Sequence, residues 1–364
     1  ASLDNAAPIA LLPQGGWAYA ASVDQISVGN HTLDVTVSGA NMATRTTTVA
    51  FCYEPLDPLP ARLPDWAQHQ QNAGHHGFVD ARVAPPLRVG WARAVGGHLG
   101  GGSPVLAGNR LFVPVIDLGD STQGGVVVFD ALTGELLWEH RTGVSVHNSP
   151  AVWQDTVLFA SSDGVLHAHD VATGQERWVL DVGEGQPTQL TWMYAAPTVE
   201  DGIAYIGLKR RFLAVDVASG VPLWEADPAP RGGWLGSFSA AGVSQGVVMA
   251  AFSRGADGLV AYDAYTGQSL WNLPTPAALV VNSSLVSDGD MLYFANGQTV
   301  AHGVDLLSTE VRWREQLIAG AHDWSYGVMG TPALAFSRLV VPTQFADLVA
   351  LDAVTGAEQW RHAC

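Results

Sequence analysis

Six times along this 364-residue chain an aspartate stands eight positions ahead of a tryptophan: Asp130 and Trp138, Asp170 and Trp178, Asp216 and Trp224, Asp263 and Trp271, Asp305 and Trp313, Asp352 and Trp360. The steps from one aspartate to the next are 40, 46, 47, 42 and 47 residues. A period of about 40–47 residues is the length of one small supersecondary unit, repeated in a solenoid or a propeller. No other feature of the chain narrows the fold as far.

Each copy reads as two strands and a tight turn. A β-rich run such as Val126–Phe129 or Phe212–Val215 leads into the Asp, and Thr-Gly or Ser-Gly follows three residues later (Thr133-Gly134, Thr173-Gly174, Ser219-Gly220, Thr266-Gly267, Thr355-Gly356). An Asp carboxylate can accept from backbone N–H groups just ahead of it, and Gly supplies the positive φ that closes a short hairpin. The fifth copy has Ser308-Thr309 instead, which predicts a strained or different turn. Segments such as "SPAVWQDTVLFASSDG" (149–164) and "AAPTVEDGIAYIGL" (195–208) add strand, polar turn, strand. The unit is therefore four antiparallel strands, A to D, with the turn between C and D and the Trp on D. One such sheet cannot bury both faces, and radial stacking of several solves that problem. A large indole at one fixed station suits contact between neighbouring sheets. No segment has sustained helical periodicity, so the fold class is all-β, a β-propeller of four-stranded blades.

The motif Asp-x-x-Thr-Gly-x-x-x-Trp resembles the repeat of the PQQ-repeat β-propellers, a superfamily that includes quinoprotein dehydrogenases and the periplasmic lipoprotein BamB of outer-membrane assembly. The resemblance covers roughly residues 60–364, and "DWAQHQQNAGHHG" (65–77) resembles the leader that precedes such propellers. It is specific for fold and says little about activity. Quinone enzymes of this kind would be expected to show adjacent cysteines, a calcium-binding set of Glu, Asn and Asp, and a catalytic Asp. No Cys-Cys pair or recognisable calcium set is present, so no cofactor is expected, with PQQ plus calcium as the alternative.

Residues 1–56 differ from the rest. "HTLDVTVSG" and "TRTTTVAFCYE" alternate apolar and polar, and the segment resembles the later part of a bacterial Ig-like module. A whole sandwich needs about seven strands and ~100 residues, so this is a partial one. Residues 57–85 read as a Pro-rich linker and the leader, and 86–364 as the propeller. "PLRVGWARAVGG" (86–97) reads as an isolated D strand, with Trp91 47 residues before Trp138. Either six blades close with that strand as an addition, or a seventh blade is completed by residues beyond Cys364; the second is the expectation. The opening "ASLDNAAPIA" carries no signal peptide, as in a mature secreted protein or an excised piece.

Net charge is −17, from 17 basic and 34 acidic residues, which disfavours nucleic acid or an anionic membrane as partner. Lys209-Arg210-Arg211 reads as a solvated turn. No run of eighteen apolar residues would span a bilayer. Cys52 and Cys364 form no disulfide framework.

Other motifs read as architecture. "GNHT" (29–32) resembles part of a metallophosphoesterase motif but lacks its Glu. "GGHLGGGSP" (96–104) is Gly-rich without a helix to cradle a phosphate and suggests backbone crowding. Asp117 and Asp120 flank an enlarged loop that reads as solvated rather than Ca²⁺-binding. His75-His76 is a leader pair, and His167 and His169 lie towards the turn end of one strand, so no metal site is expected.

The segments entering the A strands should lie near the propeller axis at one mouth. They carry His147, Asn148, Trp192, Met193, Tyr194, Trp234, Phe238, Asn282, Trp324 and Tyr326. An aromatic concave surface with a few amides suits a protein or peptide, although the same residues could simply fill the funnel. The leading functional reading is a non-catalytic, extracytoplasmic (periplasmic or secreted) scaffold or protein-binding module. The alternatives are a PQQ-dependent oxidoreductase and the accessory part of a secreted metallophosphoesterase.

Overall fold

Every aspartate of the repeat closes the same hairpin. Asp130 Oδ1 accepts from the backbone N–H of Leu132 and Thr133 (3.0 and 2.8 Å) and from Thr133 Oγ1 (3.0 Å), while Gly134 N–H donates to the Asp130 carbonyl (2.8 Å). Asp170, Asp216, Asp263, Asp305 and Asp352 likewise accept from the N–H and hydroxyl of the Ser or Thr three residues on. The C–D pairing slips by one residue at the same station in all six copies, as at Val128/Phe129 and Ala168/His169. A left-handed residue followed by a bulge is the geometry of such a short hairpin loop. The fifth turn is not different. Thr309 takes the glycine's place with φ 61°, against 69° to 75° for the five glycines, so the expected strain is present and the expected change of turn is not.

The computed structural model describes residues 2–4, 12–15, 18–20, 29–39, 42–53, 63–79, 89–117, 123–181, 195–208, 211–226, 240–251, 259–273, 283–296, 299–318, 330–343 and 347–363. They are all-β, and no helix among them is long and apolar enough to cross a membrane. The chain divides into two compact units, Ala1–Ala61 and Arg62–Cys364.

In the first unit the two alternating runs form a long hairpin, Gly29–Gly39 with Met42–Tyr53, joined on one edge by Ser2–Leu3. Leu12–Gly15 pairs separately with Ala18–Ala20.

Among its described residues the second unit holds six four-stranded antiparallel blades in simple A-B-C-D order. Blade 1 is Val105–Ala107, Arg110–Val115, Gly125–Asp130 and Leu136–Arg141; blade 2 is Ala151–Trp153, Thr156–Ala160, Val165–Asp170 and Glu176–Asp181. Blade 3 is Thr198–Glu200, Ile203–Leu208, Arg211–Asp216 and Pro222–Ala226; blade 4 is Gly242–Ser244, Val247–Ala251, Leu259–Asp263 and Ser269–Leu273. Blade 5 is Val286–Ser287, Met291–Ala295, Val300–Asp305 and Val311–Gln316; blade 6 is Ala333–Ala335, Arg338–Pro342, Asp347–Asp352 and Glu358–Ala363. The B and C strands are the core, with Phe112, Phe159, Leu166, Leu213, Met249 and Phe294 fully buried.

The D-strand tryptophans join neighbouring blades. Trp138 Nε1 donates to the Val171 carbonyl of blade 2 (3.1 Å), Trp178 to Val217 (2.9 Å), Trp224 to Ala264 (2.8 Å) and Trp313 to Ala353 (3.0 Å). Each ring lies flat on the turn glycine of the next blade. A Cβ on Gly174 would come 2.6 Å from Trp138 Cδ2, and one on Gly220 would come 2.5 Å from Trp178, so glycine is required there for space as well as for φ. Trp91 makes the same contact on blade 1, through the Ala131 carbonyl (2.9 Å) and Gly134. At the other end of the series Trp360 is 43% exposed. In the Gly-rich stretch, added Cβ atoms at Gly97, Gly100 and Gly102 would collide with Val115, Ile116 and the Asn148 backbone, which is the crowding expected of it.

Candidate functional site

The inner edge of each A strand has no strand partner, so its backbone groups need other acceptors and donors. The leader supplies them, taking the blades in order. Trp66 exchanges two backbone bonds with Leu106 of blade 1 (2.6 and 2.8 Å). The Ala67 carbonyl accepts from Val152 N–H of blade 2 (2.7 Å). The buried Gln68 amide brackets Val199 of blade 3, accepting from its N–H (2.8 Å) and donating to its carbonyl (3.1 Å). The carbonyls of Ala73, Gly74 and His76 then accept from Val243 of blade 4, Ser287 of blade 5 and Leu334 of blade 6 (3.0, 2.8 and 2.7 Å). Eleven residues, 66–76, thus touch all six blades.

The leader side chains reach between blades. His75 is fully buried; its Nδ1 donates to the Leu285 carbonyl (2.8 Å) and its Nε2 accepts from Thr198 Oγ1 (3.2 Å). That tautomer is neutral. Burial, with His69 beside it, pushes His75 down to about 3. His69 meets it edge-on at 5.3 Å, bonds Thr331 Oγ1 and Ser284 Oγ through Nε2 (3.2 and 3.0 Å), and is pushed down to about 4 by burial. Neither ring carries a positive charge at neutral pH. Gln70, Gln71 and His75 all have positive φ, the strain needed to curl so short a segment past six strands.

A PQQ–calcium pair would need carboxylate and carbonyl oxygens converging on a hard cation. The side chains that the described axial segment contributes are amide and imidazole, met by blade hydroxyls and carbonyls and bonded to one another. That segment offers no such oxygen set, and the segments expected at the mouth lie outside the described residues.

At the mouth, the structure separates two neighbours that the sequence grouped. Asn148 is 1% exposed, and its amide holds the Ala160 backbone (Nδ2 to O 2.8 Å, Oδ1 from N 3.4 Å). Ser283 holds the Ala295 backbone in the same way in blade 5. Asn148 therefore anchors its A strand and is not open to a ligand. His147 is half-buried, and burial lowers its pKa. Trp192, Met193, Tyr194, Trp234, Phe238, Asn282, Trp324 and Tyr326 lie outside the described residues, as do Asp120, Lys209, Arg210 and Cys364. Arg211 pairs with Glu225. His167 and His169 are brought together with His140 and Glu176, which the sequence reading did not connect to them. The signal that could have found this lies in the repeat: these four fall at stations where other blades carry mainly aliphatic residues. The axial role of the leader had a signal too, since a run of Gln, Asn and His with one charge, Asp65, suits buried hydrogen bonding.

A family model described as "Outer membrane protein assembly factor BamB" matches residues 79–233 and again 190–327. The chain belongs to this family of PQQ-repeat propellers. Among curated relatives, the chain is similar to a serine/threonine-protein kinase AfsK of Streptomyces griseus, at 30% identity over 178 residues, 46% of this chain and 21% of that one. It is also similar to a polyvinylalcohol dehydrogenase of a Pseudomonas species, at 25% identity over 282 residues, 60% of this chain and 42% of that one. The chain thus spans under half the length of these relatives. Among solved structures, the quinohemoprotein alcohol dehydrogenase of Comamonas testosteroni superposes with TM-score 0.66 and 16% identity, over 83% of this chain and 68% of that one. That likeness is one of fold.

Proposed function

We infer that this PQQ-repeat propeller is a non-catalytic, extracytoplasmic protein-binding or scaffolding module. The observation that carries the reading is on the outer strands. Leu137, Val179, Leu223 and Leu270, on the D strands of four consecutive blades, are 39%, 49%, 48% and 48% exposed. Aliphatic side chains on unpaired edge strands suit contact with another polypeptide, by strand addition or by packing across the rim. The hydrogen-bonded leader supports the same reading, because its amide and imidazole side chains are bonded to the blades and to one another. The family description, an outer-membrane assembly factor, agrees with it.

The sequence expectation of an aromatic mouth, with His147, Trp192, Tyr194, Trp234, Trp324 and Tyr326, offers a second surface to test for such a partner. Cross-linking in the native host followed by affinity capture tests both surfaces. Leu137→Lys/Leu223→Lys/Leu270→Lys is expected to abolish capture of the specific partner while the fold is kept. If Tyr194→Ala/Tyr326→Ala abolishes it instead, the mouth is the surface. Capture unchanged in both would sink the reading.

The polyvinylalcohol dehydrogenase likeness favours one rival, a quinone-dependent oxidoreductase. Titration of the full chain with PQQ and Ca²⁺ separates the two, because stoichiometric retention of quinone through gel filtration belongs only to the enzyme.

A further inference from the structure

The contact between blades 1 and 2 differs from its equivalents. Four stations meet there: the residue two after the Trp on one D strand, and, on the next blade, the residues three before, one before and six after the Asp. Between blades 2 and 3 they are Leu180, Leu213, Val215 and Pro222, of which the first three pack in an apolar core. Between blades 4 and 5 they are Leu273, His302, Val304 and Val311. Between blades 1 and 2 they are His140, His167, His169 and Glu176, and their ligand atoms all lie within 4.8 Å of one another. The fold explains the convergence. His167 and His169 share one face of the C strand, Glu176 is the cross-strand partner of His169 at the bulge, and His140 follows Trp138 by two on the D strand that faces them.

The hydrogen bonds leave lone pairs aimed inward. His169 is 1% exposed; its Nδ1 donates to the Gly174 carbonyl (2.9 Å), so Nε2 carries a lone pair, and that atom is buried without a partner. Ser161 Oγ donates to Asp163 Oδ1 (2.5 Å) and lies 3.0 Å from His167 Nε2. A hydroxyl whose proton is committed to a carboxylate can only accept from the imidazole, which leaves the lone pair on His167 Nδ1. That atom too is buried and unpartnered. An orphaned buried polar atom is destabilising, and two sit side by side here. A histidine whose outer N–H is held by a carbonyl or a carboxylate-linked hydroxyl has the outer-shell arrangement of a metal ligand. Burial, with His140 and His169 beside it, also pushes His167 down to about 4, and the neutral imidazole is the ligating form.

We propose that His140, His167, His169 and Glu176 bind one divalent transition ion of the zinc class and clamp blade 1 to blade 2. Three imidazole nitrogens and one carboxylate oxygen are a zinc donor set, with bonds of about 2.0–2.2 Å in a tetrahedron. Drawing four atoms from the observed spacing onto one ion needs a movement of under about 1 Å for each. Glu176 is exposed, which gives the ion a way in. The role is structural, since all four positions are taken by protein.

The test uses the full chain. After stripping with a chelator, reloading with Zn²⁺ and dialysis, metal content is measured for wild type and for His167→Leu/His169→Val. That variant carries the residues that blade 3 has at the same stations, so it is expected to fold. Wild type is expected to retain one equivalent more than the variant, and to gain a rise in thermal midpoint with Zn²⁺ that the variant lacks. Co²⁺ in place of Zn²⁺ is expected to give the visible bands of a four-coordinate site in wild type alone. Glu176→Gln, at an exposed position, is a second arm and is expected to weaken retention by more than about tenfold. Equal zinc in wild type and His167→Leu/His169→Val, or none retained by either, overturns the proposal. Should that variant not fold, unchanged affinity in Glu176→Gln overturns the four-ligand site.

Discussion

Replacing Thr309 with glycine is expected to stabilise the propeller unit. Thr309 is a β-branched residue held at φ 61° by the hairpin, its N–H donating to the Asp305 carbonyl (2.8 Å). A left-handed conformation costs a non-glycine residue about 1–2 kcal/mol. There is a second cost. At the five glycine turns a Cβ would sit 2.5–2.6 Å from the indole that lies on them, so the Thr309 side chain must displace its own tryptophan, Trp271. Among the described residues Trp271 makes no indole hydrogen bond, whereas Trp91, Trp138, Trp178, Trp224 and Trp313 each donate to a turn carbonyl at 2.8–3.1 Å. Regaining that bond is worth about 1 kcal/mol. Glycine returns about 0.5–1 kcal/mol of disorder to the unfolded chain. The net gain is about 1–2 kcal/mol, or a few degrees in midpoint at about 2–4 °C per kcal/mol. Differential scanning calorimetry of wild type, Thr309→Gly and Thr309→Ala reads it directly. Alanine keeps the Cβ and should gain much less. A Thr309→Gly midpoint at or below that of wild type would refute the argument that the turn is strained.

Other outcomes follow from the same geometry. Trp178→Ala removes a half-buried ring and its bond to Val217 and should cost about 2–4 kcal/mol in urea unfolding, whereas Trp360→Ala, at the exposed end of the series, should cost under about 1 kcal/mol. Gln68→Ala leaves both backbone groups of Val199 without their partner and should lose about 2–4 kcal/mol; a loss under about 0.5 kcal/mol would mean the leader does not hold blade 3. Acid should weaken the fold early. His69, His75 and His302 are held at about 4, 3 and 4, and in the unfolded chain they take up protons below about 6.5. Between those values the unfolded state binds more protons, so stability is full above about pH 6.5 and falls as pH drops towards 4, by up to about 1.4 kcal/mol per pH unit for each histidine. A urea midpoint unchanged from pH 7 to pH 5 would contradict this.

The blades were legible because a two-residue constraint, Asp and Trp eight apart, recurs with its turn residues, and turn chemistry is local. Even the strain at Thr309 could be read from one departure in the pattern. The axial ring was not legible. Its contacts join residues such as Gln68 and Val199, or His75 and Leu285, far apart in sequence, and no local rule says that a polar leader will lie against six strand edges. For Asn148 the sequence left two readings open, a ligand contact or a core-filling residue, for a related reason. An amide at a mouth looks like a ligand contact until the backbone it holds, at Ala160, is seen. The histidine cluster was half visible: alternation puts His167 and His169 on one face, but only blade stacking brings His140 across.

In a stack of repeats each sheet knows only its neighbours, and the array can fray from either end. Residues 66–76 change that, because one short length of chain is fastened to all six described blades at once. Losing any blade disturbs a segment that the other five also depend on, so unfolding is expected to be concerted. A single cut between His69 and Asn72 should turn one sharp transition into a series of gradual ones.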